Sequence, residues 1–106
     1  MSNQNIRILF LIERNKINRL GQAPLRCRIT YCNERKIFST GLFINPDNWI
    51  ASKQKAHPPN TENSQINTQL SLIKQEINQA FLFLQIHGRD FNVDDIYRQY
   101  KVFYHF

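Results

Sequence analysis

Arg26 and Arg28 stand two residues apart in the segment Pro24 to Trp49, PLRCRITYCNERKIFSTGLFINPDNW. On an extended strand, two such guanidinium groups point the same way, about 7 Å apart. Arginine stays protonated, so the pair is unsuited to acid–base work. It suits anion binding: one guanidinium can read O6 and N7 of guanine while the other holds phosphate. Thr30 beside them and Ser39 on the next strand are small and keep that face open. Arg35 and Lys36 add cations for phosphate at the turn, and Arg14, Lys16 and Arg19 lie in a polar loop that can follow a phosphate backbone.

Other chemistry is poorly served. Cys27 and Cys32 lie five apart in one predicted strand, on opposite faces, so they cannot pair there. His57, His87 and His105 are scattered without metal-ligand spacing, and no metal or cofactor is expected. Trp49 follows the turn cluster Asn45-Pro46-Asp47-Asn48 and is expected to pack on the sheet rather than stack on a base.

The chain has 106 residues, 42% of them hydrophobic, which supports a core and excludes a disordered tail. Net charge is +6. Residues 1–55 carry ten basic side chains (Arg7, Arg14, Lys16, Arg19, Arg26, Arg28, Arg35, Lys36, Lys53, Lys55) against Glu13, Glu34 and Asp47, while residues 56–106 are slightly acidic. The excess therefore falls in the half that reads as sheet, as a polyanion-binding face would require. No apolar run approaches the roughly 20 residues that span a bilayer. MSNQNIR lacks the layout of a signal peptide, so a cytoplasmic protein without membrane contact is expected.

The elements that must position these cations follow from periodicity. IRILFLIER (6–14) predicts a first strand with Ile6, Ile8, Phe10 and Ile12 inward, and Gly21 is the expected turn residue of the loop after it. From Pro24 onward, Leu25, Cys27, Ile29 and Tyr31 alternate with Arg26, Arg28 and Thr30. A two-residue turn at Asn33-Glu34 sets Ile29 against Phe38 and Arg28 against Ser39, with Phe38, Thr40 and Leu42 inward. Gly41 is read as relieving a bend or a bulge. Residues 52–63, SKQKAHPPNTEN, are expected to form a mobile internal linker. A long helix is predicted from Asn63 to His87, with Ile66, Leu70, Ile73, Ile77, Phe81 and Leu84 as its inner stripe and Gly88 as C-cap. Asn92 then caps a short helix bearing Asp94 and Asp95. The expected fold is α+β: a three-stranded antiparallel sheet packed against one long C-terminal helix, with a short extra helix near the C-terminus.

In order and spacing, Arg28-Ile29-Thr30, Ser39-Thr40-Gly41, Pro46 to Trp49 and Asn67 to Leu70 resemble the N-terminal arm-type DNA-binding domain of tyrosine recombinases, specifically the integrases of Bacteroides-type conjugative transposons and phages. The resemblance covers roughly residues 6–90. It implies a sheet laid in the major groove of double-stranded DNA at arm-type sites, with the remaining domains of the parent integrase carrying out strand exchange. Residues 1–90 would be the arm-binding domain, and 91–106 the start of a core-binding domain or a tail. Family members often carry a Gly-Lys-Arg turn where this chain has Asn33-Glu34-Arg35-Lys36. Tyr97, Tyr100 and Tyr104 match no catalytic motif of the family, so this chain is not expected to cut DNA. A single-stranded nucleic-acid or RNA-binding domain, and a protein-interaction module, are the alternatives. The first would need exposed aromatic residues on the sheet; the second draws on the apolar tail.

Overall fold

Strict alternation over residues 25–31 has its expected consequence in the computed structural model of the chain, which describes residues 5–87 and 90–104. Ala23, Leu25, Cys27, Ile29 and Tyr31 are all buried, while Pro24, Arg26, Arg28 and Thr30 between them are half-buried. This central strand, β2 (Ala23–Tyr31), pairs antiparallel with β1 (Arg7–Ile12) on one side and β3 (Glu34–Ile44) on the other. Phe10 of β1 sits opposite Cys27, which in turn faces Phe38 of β3, so one apolar row crosses the sheet.

The hairpin register differs from the expected one by two residues. Arg26 faces Ser39, Cys27 faces Phe38 and Arg28 faces Ile37. The two-residue turn is Cys32-Asn33, at φ 53° and 64°, rather than Asn33-Glu34. Positive φ at both central residues matches the right-handed twist of the flanking strands. A shift of two keeps every side chain on its predicted face. Gly41, at φ 79°, lies in the irregularity where β3 loops out opposite Leu25. Thr40 Oγ1 donates to Leu25 O at 2.7 Å and accepts from Leu42 N at 3.1 Å, which satisfies backbone groups the ladder leaves open there.

Residues 52–63 are not a loose linker. After a 3-10 turn at Pro46–Asn48, β4 (Trp49–Ile50) pairs with β5 (Lys55–Ala56) around a second turn at Ala51–Lys53. Gln54 closes that turn in the left-handed region, at φ 54°. Its side chain reaches the open edge of β1, accepting from Phe10 N at 2.7 Å and donating to Phe10 O at 3.0 Å. The amide does for Phe10 what a fourth strand would do, and blunts the edge. Asn67 does the same for Ala56, accepting from its N–H at 2.8 Å and donating to its carbonyl at 3.1 Å.

The long helix α1 (Thr61–Ile86) starts at Asn60, whose side chain accepts from Asn63 N. Asn63 itself is buried and donates to Pro58 O at 2.8 Å, so burial leaves its amide partnered. Leu70, Ile73, Ile77, Ala80 and Phe81 face the core. The expected C-cap, Gly88, lies outside the described residues. The second helix, α2 (Val93–Tyr104), opens with a reciprocal cap: Asp95 N donates to Asn92 Oδ1 and Asn92 N to Asp95 Oδ2, both at 2.9 Å. Val93, Ile96 and Tyr100 of α2 join the same buried cluster as the sheet and α1. Phe38 meets Tyr97 and Tyr100 at centroid distances of 4.8 and 5.5 Å. Tyr31 stacks on Phe91 at 5.2 Å.

Candidate nucleic-acid interface

Both helices pack on the face of the sheet that carries Cys27 and Phe38. Three cross-strand rows form the opposite face: Leu11–Arg26–Ser39, Leu9–Arg28–Ile37 and Arg7–Thr30–Arg35. Arg7, Arg35, Ile37 and Ser39 are exposed there, and Arg26, Arg28 and Thr30 half-buried. Neither helix lies across the two central arginines.

Leu11 stands opposite Arg26, and Leu9 and Ile37 opposite Arg28, aliphatic neighbours of the kind long arginine stems favour. Nε of both Arg26 and Arg28 is shut off from solvent and has no hydrogen-bond partner among the described residues. The Nη ends carry the charge outward. Arg26 Nη1 lies 3.5 Å from Glu13 Oε1, and Lys16 Nζ lies 3.9 Å from Glu13 Oε2. Arg28 has no carboxylate partner among the described residues.

The remaining expected site residues divide. Arg14, Lys16 and Arg19 are exposed in the β1–β2 loop, at the end of the sheet where Glu13 sits. That loop is organised by Asn18, whose Oδ1 accepts from Leu20 N and Gln22 N at 2.9 and 3.0 Å, with Gly21 at φ 76° completing the turn. Lys36 leaves the group. It stands opposite Ile29 on the helix-covered face, 3.9 Å from Asp94 Oδ1 and 4.9 Å from the Tyr97 ring. Arg7 joins the outer face; its parity was legible, but its place at the end of a row needed the register.

The shifted titrations belong to the other side of the sheet. Burial pushes the Cys27 thiol up to about 12 and raises the Tyr100 and Tyr31 hydroxyls. A thiol held protonated in the core is a poor nucleophile and metal ligand. Among the described residues no cluster of three or more His, Cys, Asp or Glu side chains could hold a metal ion, and no helix is long and apolar enough to cross a membrane. Trp49 is buried, as its place beside the turn implied.

A family model described as an Arm DNA-binding domain matches residues 10–97. The chain belongs to that family. The match runs from the middle of β1 into α2, and so takes in β2, β3, the β4–β5 ribbon and α1. Arm DNA-binding domains are non-catalytic DNA-binding modules of integrase-type recombination, and DNA is the partner membership implies. No curated protein and no solved structure matches this arm DNA-binding domain significantly.

Proposed function

We propose that this arm DNA-binding domain lays its outer sheet face into the major groove of duplex DNA, as the arm-site module of a tyrosine recombinase from a mobile element. The observation that carries the reading is a pair of guanidinium groups on the central strand of a sheet whose back alone is covered by helices. A small sheet fits a groove about 12 Å wide, with side chains from its middle strand reaching base edges. Arg28, without a carboxylate partner, is the best placed to read guanine. Arg26, Arg35 and Arg7 suit phosphates on either side, Thr30 and Ser39 keep the approach open, and Arg14, Lys16 and Arg19 follow the backbone beyond the sheet.

A single-strand or RNA platform would stack successive bases on exposed rings. Tyr31 and Phe38 are in the core, and Phe43 is the one exposed aromatic on the outer face among the described residues. This composition favours duplex.

Fluorescence anisotropy with a labelled duplex tests the reading. Arg28→Ala is expected to weaken binding by about 1–3 kcal/mol while the domain stays folded. Wild-type affinity is expected to fall by orders of magnitude between about 50 and 200 mM salt. Equal binding by Arg28→Ala and wild type would refute the assignment.

A further inference from the structure

The face proposed for DNA contains a carboxylate where phosphates should come. Glu13 follows β1 on the parity of Leu9 and Leu11, anchored by its own N–H, which donates to Pro24 O at 3.0 Å. Its two oxygens are shared between Arg26 Nη1 at 3.5 Å and Lys16 Nζ at 3.9 Å. The Arg26 and Glu13 side chains are 32% and 25% exposed, so this pair is less screened than one standing free in solvent. Arg26 Nε, without a partner, leaves the Nη groups as the donors a ligand can reach, and Glu13 already engages one of them.

We propose that Glu13 is an electrostatic brake on generic duplex binding, holding Arg26 and Lys16 against capture by any phosphate that passes. The proposal rests on the sheet-face reading above. A phosphate that takes Arg26 must displace a carboxylate, and the displaced carboxylate then faces the negative field of the duplex. Sequence-independent binding consists almost wholly of such phosphate contacts, so it bears the cost most heavily. Arg28 stays available for base contact throughout.

The probe is a random-sequence duplex of about two helical turns. Glu13→Gln keeps the side chain's shape and removes its charge. It is expected to bind this duplex several-fold more tightly than wild type, with the slope of log K against log salt steeper by about one. Glu34→Gln is the charge-matched control. Glu34 is exposed at the hairpin tip, opposite Tyr31, and has no ion-pair partner among the described residues, so less than a twofold change is expected. Placed in an Arg26→Ala, Lys16→Ala background, Glu13→Gln should lose most of its effect.

No gain from Glu13→Gln, or an equal gain from Glu34→Gln, would overturn the proposal. Arg35→Ala, whose proposed contact is a phosphate and which a random-sequence duplex therefore reports, separates the two layers when run in parallel. If it weakens binding while Glu13→Gln changes nothing, the brake alone is wrong. If Arg35→Ala binds like wild type, the sheet-face reading falls and the brake falls with it.

Discussion

Arg35 and Lys36 are neighbours in sequence, yet their side chains leave β3 on opposite sides. Arg35 faces Thr30 on the open face; Lys36 faces Ile29 and settles between Asp94 and the Tyr97 ring. If the open face binds duplex, the two residues should behave differently when removed. Arg35→Ala is expected to lower affinity and flatten the salt slope by about one, the signature of one lost phosphate contact. Lys36→Ala is expected to leave the slope alone and to cost at most about 0.5 kcal/mol of stability, since its ion pair is well exposed. Salt titrations and thermal melts of the two variants check this, and a slope change of equal size in both would contradict it. The sequence did not separate these residues because both read simply as cations at a turn. Parity separates them, and parity was legible: either placement of the turn makes Asn33 a central residue and leaves the faces unchanged. The register itself was not legible. Asn33 accepts positive φ readily, but nothing in the side chain of Cys32 announces that it also sits at φ 53°.

The stretch from Ser52 to Asn63 shows what periodicity misses at the scale of an element. Polar composition and Pro58-Pro59 suggest a linker, because neither a strand nor a helix pattern is present. The order comes instead from two side-chain amides acting as backbone. Gln54 pairs with Phe10 of β1, and Asn67 of α1 pairs with Ala56 of β5, each through both a donor and an acceptor. Such partnerships span 44 and 11 residues in sequence and leave no local pattern. They also give Asn67-to-Leu70 a structural meaning, since the amide clips the ribbon while Leu70 enters the core. Gln54→Ala removes both bonds to Phe10 and bares the edge of β1. The expected cost is about 1–3 kcal/mol, with faster hydrogen exchange at the Phe10 amide and little change at Cys27 in the centre of the sheet. Exchange at Phe10 as slow as in wild type would show that the edge is held by something else. The helices, in contrast, were legible in place and inner stripe, though α1 starts two residues earlier than expected and α2 runs on through Lys101 to Tyr104. Their apolar stripes repeat every three or four positions, and Asn92 with Asp95 forms a cap within a single turn.

The whole molecule separates its two faces by chemistry: Arg7, Arg26, Arg28 and Arg35 stand on one side of the sheet, and protonated neutral groups are sealed on the other, with Lys36 at the edge of that side. What was hidden in the sequence is that α2 helps make that seal, because Tyr97 and Tyr100 meet Phe38 across a large separation in the chain. The seal has a consequence for alkaline stability. Burial raises the Cys27 thiol from 9.0 to about 12. Burial first, then the charges of Glu76, Cys27 and Tyr97, raises the Tyr100 hydroxyl above its usual 10.0. Both groups are neutral when protonated, and both lose a proton more easily in the unfolded chain. Their contribution to stability is therefore complete below about pH 9 and is lost as pH climbs through their folded values. Thermal melts are expected to be level from about pH 7 to 9 and to fall steeply above that. Tyr100→Phe should cost about 1 kcal/mol at neutral pH, yet show a shallower alkaline decline than wild type. Parallel curves for the two proteins at every pH would mean that Tyr100 does not ionise on unfolding in this range. At neutral pH the same variant should bind duplex as wild type does, because the core face and the arginine face share only the strands between them. A drop in duplex affinity without a drop in folded fraction would break that separation, and would place α2 in the interface.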